Sequence, residues 1–156
     1  MRALLLTLFI ALPIAVTGCK KAPEAPAKLG VDAVVVRLSG VEGRPGAAYF
    51  TLHGGEQPDR LVAISSPKAA TIELHESSME NGIMSMRALT GADVPEKGSV
   101  AFKPGGNHAM VYGIDPAVKP GGTMTMRFTF QSGAAIEVAA NAIGPADDMP
   151  MEHDDH

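Results

Sequence analysis

The stretch Thr71–Leu89, TIELHESSMENGIMSMRAL, reads as two strands joined at Asn81-Gly82. Asn-Gly is the preferred pair for a two-residue type I′ hairpin turn, because both positions need a positive φ. If those two residues form the loop, Glu80 pairs with Ile83, Ser77 lies opposite Met86, and His75 lies opposite Ala88. His75 and Met86 then become diagonal neighbours on one face, with Met79 and Met84 on the same face nearer the turn. The arrangement depends on the turn, since a slip of one residue sends every side chain to the other face.

Working outward, short strand-like runs, the first of them rich in β-branched residues, are separated by Gly/Pro punctuation. They are Val31–Leu38, Ala47–Leu52, Arg60–Ser65, Ser99–Lys103, His108–Tyr112, Thr123–Phe130 and Ala134–Ala140. Even spacing and the lack of a sustained helical period predict an all-β fold, a small antiparallel β-sandwich.

A second chemical pair follows the loop Lys103-Pro104-Gly105-Gly106-Asn107. Residues i and i+2 of a strand share a face, so His108 and Met110 form a ready bidentate pair. Together with His75 and Met86 they supply two imidazoles and two thioethers. Thioether sulfur is neutral and soft, a ligand for Cu(I), whereas zinc favours thiolate, further imidazoles or carboxylate.

The chain has 156 residues, 17 Asp+Glu against 13 Lys+Arg, and a formal charge of −4. With no basic stripe, no Trp and 4% aromatic residues, it is not built to bind nucleic acid. Nine Met is a high count for this length.

Arg2 followed by the uncharged apolar run Ala3–Val16 has the dimensions of a signal-peptide core and is short for a membrane span. It ends in Val16-Thr17-Gly18-Cys19, which resembles the bacterial lipobox. Residues 1–18 are therefore expected to be a lipoprotein signal peptide, with Cys19 lipidated and the protein held on the periplasmic face of a bacterial membrane. Lipidation consumes the single cysteine of the chain, which leaves no thiolate for a blue-copper site and disfavours an electron-transfer cupredoxin. The Pro/Ala/Lys-rich segment 19–29 reads as a spacer, 30–143 as the folded domain and 144–156 as a disordered polar tail. In that tail Met149, Met151, His153 and His156 lie among Asp and Glu, a candidate secondary metal site in which imidazole and carboxylate favour Cu(II). No nucleophile elbow, phosphate loop or HExxH motif is present, and the chain reads as a binding protein, not an enzyme.

The spacing His75, ten residues, Met86, 21 residues, His108, one residue, Met110 resembles the ligand signature of the periplasmic copper chaperone family PCuAC. The flanking segments AAYFTLHGG, LVAISSP, KPGGNHAMVYGI and FTFQSG are similar too, so the resemblance spans residues 31 to 140. Asn107 departs from it, standing where an aromatic residue is commoner. The resemblance implies a cupredoxin-like Greek-key β-sandwich with a Cu(I) site near the surface. It also implies delivery of copper toward the CuA subunit of cytochrome c oxidase, alongside Sco-type assembly proteins. A periplasmic copper buffer or resistance protein is the alternative, and differs in biology more than in chemistry.

Overall fold

A computed structural model describes residues 27–149. The expected signal peptide, Cys19 and most of the spacer lie outside the described residues, as do Met151, His153 and His156.

The described chain is all-β, with ten strands: β1 Gly30–Arg37, β2 Gly46–His53, β3 Asp59–Ser65, β4 Thr71–Glu80, β5 Ile83–Leu89, β6 Ala92–Val94, β7 Ser99–Phe102, β8 Asn107–Tyr112, β9 Thr123–Phe130 and β10 Ala135–Ile143. The strands form one continuous hydrogen-bonded path, β5-β4-β8-β2-β1-β10-β9-β3-β6, with β7 added beside β2. The path rolls over on itself. Phe50 of β2 meets Phe128 of β9 edge-on at 5.0 Å although the strands are not neighbours, and Phe50 also stacks on Phe102 of β7 at 4.3 Å.

Strict alternation builds this core. In β2 the residues Ala48, Phe50 and Leu52 are buried while Ala47, Tyr49 and Thr51 are not. In β9 every second residue, Met124, Met126, Phe128 and Phe130, points inward. Two of the nine methionines are thus ordinary core filler, flexible enough to fit between the aromatic rings.

Two features depart from the sequence expectation. β1 and β10 run parallel, with Val35 beside Asn141 and Arg37 beside Ile143, so the sandwich is mixed and not wholly antiparallel. A parallel pair requires a long crossover, and here nearly the whole domain supplies it. The second departure is β6, whose three residues carry too little periodicity to be seen in sequence.

Residues 144–149 are held against the sheet. The Gly144 N–H donates to Asp147 Oδ2 at 2.6 Å, and Arg37 Nη2 donates to the Asp147 carbonyl at 2.9 Å. Met149 is half-buried and lines a surface cavity with Val35, Tyr49, Phe50 and Phe102.

Candidate metal centre

The β4–β5 hairpin has the register that its turn dictates. Ser77 pairs with Met86, His75 with Ala88, and Glu80 with Ile83. Asn81 and Gly82 have φ of 52° and 77°, the left-handed backbone of a type I′ turn. Alternation gives the hairpin two different faces. On one, Glu76 pairs ionically with Arg87 and the Ser78 hydroxyl hydrogen-bonds that of Ser85 at 2.9 Å. The other face carries His75, Ser77 and Met79 on β4, and Met84, Met86 and Ala88 on β5.

β8 lies antiparallel on the opposite side of β4, with His75 directly across from His108 and Glu73 across from Met110. The two imidazole rings stack at 5.8 Å with 22° between their planes. Both histidines are buried, at 9% and 8% exposure, Met110 is half-buried, and Met86 is 53% exposed. The fold therefore brings His75, His108, Met86 and Met110 to one outer face of three adjacent strands, β5-β4-β8.

The loop before β8 fixes one ring. Gly105 takes φ 80° and allows the tight reversal. The Gly106 carbonyl then accepts two hydrogen bonds, from the Ser77 N–H at 3.1 Å and from His108 Nδ1 at 3.0 Å. A carbonyl cannot donate, so His108 carries its proton on Nδ1, and its Nε2 keeps a free lone pair. His75 is arranged in mirror fashion. Its Nε2 donates to the Glu73 carboxylate at 3.3 Å, and its Nδ1 is buried without any hydrogen-bond partner. A buried ring nitrogen with an unused lone pair is costly unless something binds it. Each imidazole thus has one nitrogen tied to the protein and one left as an acceptor, the arrangement of metal-ligating histidines.

Glu73 is the residue that the sequence reading missed. The signal was present, because Glu73 is two residues before His75 on a strand and must share its face. Among the described residues no group of three or more His, Cys, Asp or Glu gathers to hold an ion. A metal at this face would need the thioethers, which suits soft Cu(I) and not a hard cation.

The remaining candidate residues divide. Met149 lies at the surface cavity described above; Met151, His153, His156 and Cys19 fall outside the described residues. His53 stands at the end of β2 with its Nε2 against Asp32 Oδ2 at 2.8 Å, a surface pair.

A family model described as LpqE-like lipoproteins matches residues 29–142. A protein of Leifsonia xyli subsp. xyli named as lipoprotein Lxx21020 is 26% identical over 146 residues, which cover 88% of each chain. Among solved structures, the copper-bound PCuAC domain from PmoF2 has a TM-score of 0.64 at 18% identity, covering 78% of this chain and 97% of that one. The Cu(I) form of DR1885 from Deinococcus radiodurans has a TM-score of 0.58 at 25% identity, covering 81% and 83%. The first of these likenesses establishes the cupredoxin-like PCuAC fold.

Proposed function

This chain belongs to the LpqE-like lipoprotein family, and from that premise we propose that it is an extracytoplasmic copper chaperone that holds one Cu(I) with His75, Met86, His108 and Met110. The observation that carries the reading is the pair of stacked imidazoles, each with one nitrogen fixed and the other free, flanked on the same face by two thioethers. The copper-bound states of PmoF2 and DR1885 support it.

The site suits a cargo that must leave. His75 and His108 are buried on inner strands and keep their orientation, whereas Met86 stands exposed on the edge strand β5. A ligand from a partner displaces Met86 first, and the two imidazoles release the ion last. The ligands are neutral, so exchange needs no charge to be separated. The acceptor is the CuA subunit of cytochrome c oxidase, directly or through a Sco-type protein. The chain is a carrier and performs no catalysis. Cys19 carries the lipid that keeps it at the periplasmic face of the membrane, and the tail residues Met149, Met151, His153 and His156 offer a secondary site with affinity for Cu(II).

The test is an anaerobic Cu(I) competition titration with X-ray absorption at the copper edge, comparing the parent with a Met86→Ala, Met110→Ala double variant. One tightly held Cu(I) with mixed nitrogen and sulfur scattering, weakened about 100-fold or more in the variant, is expected. Equal affinity in both proteins sinks the assignment. Loaded protein should also metallate an apo CuA domain under reducing conditions, and failure to do so removes the delivery role.

A further inference from the structure

Four large apolar side chains stand in water at the tip of the β4–β5 hairpin: Met79, Ile83, Met84 and Met86, at 67, 72, 63 and 53% exposure. None of them packs against the hydrophobic core. Strand propensity does not explain the choice either, since exposed strand positions favour β-branched and aromatic residues, and three of these four are Met.

Their placement is regular. Met79 and Met84 are directly opposed, and Met86 is the next residue on the same face of β5. Directly opposed positions hold their Cβ atoms about 4.5–5.5 Å apart, and a diagonal neighbour lies about 7–8 Å away. Each methionine has three rotatable bonds beyond that, so the three sulfurs can converge on one ion. The opposite face of the hairpin is closed by the Glu76–Arg87 pair and the Ser78–Ser85 hydrogen bond, which keeps these polar groups engaged with one another. On the sulfur face, the rung that follows Met79 and Met84 is Ser77 with Met86, and the one after holds His75.

We propose that Met79, Met84 and Met86 form a second, all-thioether Cu(I) site at the hairpin tip, sharing Met86 with the inner centre, and that the ion enters and leaves through it. The sharing rests on the reading of His75, His108 and Met110 as that inner centre. Transfer between the two is a ligand exchange: Cu(I) gains imidazole nitrogen as it gives up the Met79 and Met84 sulfurs, its charge stays the same, and no proton moves. Three thioethers bind more weakly than a set with two imidazoles, so the tip loads the inner centre and does not compete with it.

The experiment follows the methionine methyl and histidine ring resonances of the full-length chain in detergent micelles during anaerobic titration with Cu(I). The parent is compared with M79L/M84L, which keeps the apolar surface and removes two sulfurs. In the parent the first equivalent should move the His75 and His108 rings. The Met86 methyl should shift with those rings, and a second event, at least about tenfold weaker, should move the Met79 and Met84 methyls together and shift Met86 again. M79L/M84L should lose the second event and take up the first ion about tenfold more slowly, with a final affinity within about twofold of the parent. Met79 and Met84 methyls that stay still throughout overturn the site, including the case in which only Met149 and Met151 of the tail respond. An unchanged loading rate in M79L/M84L overturns the route and marks the patch as a surface served equally well by leucine. Failure of the inner centre would show separately, as rings that do not move.

Discussion

Replacing Gly82 by Ala isolates the contribution of the hairpin turn to the proposed metal centre. Gly82 sits at φ 77°, and a Cβ there meets nothing within 4 Å, so the change brings no clash. It places an L-residue in left-handed backbone at a cost of about 1–2 kcal/mol. That penalty falls on the hairpin and not on the core. β5 ends the sheet, pairs with β4, and has no fully buried residue. A fall in the closed fraction of the hairpin raises the apparent Kd for copper in the same proportion. Full transmission of the penalty corresponds to about five- to thirtyfold, and a hairpin that is largely closed to begin with gives less. The expected result for Gly82→Ala is a Cu(I) affinity about three- to tenfold weaker, bounded by the loss in Met86→Leu. The melting midpoint should stay within about 2 °C of the parent. Gly82→Asn, whose side chain tolerates the left-handed region, should behave like the parent. The assay is anaerobic competition against a chromophoric Cu(I) chelator, with hydrogen exchange of the β5 amides measured in parallel. Faster exchange in β5 with unchanged copper affinity would refute the role of Met86. A drop in melting midpoint of more than about 5 °C would refute the energetic separation of hairpin and core.

Three further outcomes are expected. Glu73→Ala should raise the Cu(I) Kd about tenfold, the low end for an outer-shell partner, since Glu73 is half-exposed and its bond to His75 is 3.3 Å. Glu73→Gln, which keeps an acceptor, should recover most of that in the same titration. Gly54→Ala should cost at least about 3 kcal/mol in a denaturant melt, because its Cβ would sit 1.8 Å from the Pro95 carbonyl oxygen, a backbone atom that cannot step aside; a midpoint equal to the parent's contradicts the packing of that loop. Burial raises the Asp59 carboxyl, but hydrogen bonds from the Ser132 hydroxyl and the N–H groups of Arg60 and Ser132 outweigh it and hold the carboxyl below the usual range. A lowered folded-state value contributes stability that is complete above the unfolded value and fades as pH falls through the folded one. The melting difference between parent and Ser132→Ala should therefore be constant near neutrality and shrink below about pH 4, and a difference that persists in acid argues against this linkage.

Local chemistry made one half of the site legible from sequence. Asn81-Gly82 dictates a type I′ turn, the turn dictates the register, and the register puts His75 and Met86 on one face. The i, i+2 spacing did the same for His108 and Met110, and alternation in β2 and β9 disclosed which side chains fill the core. These inferences hold because each depends on residues close in the chain, where backbone geometry alone sets direction.

What joins the two halves is not local. Only the folded chain sets β8 beside β4 with His75 across from His108, pairs β1 with β10 in parallel, and brings Gly106 under Ser77. Strand alternation says which face a residue occupies but not which strand will be its neighbour, and that choice is made by how the whole apolar set packs around Phe50 and Phe128. The same packing decided where the methionines of the strands lie. Met124 and Met126 went into the core, Met110 to the outer face across from Glu73, and Met79, Met84 and Met86 were left in water on that same face of the hairpin.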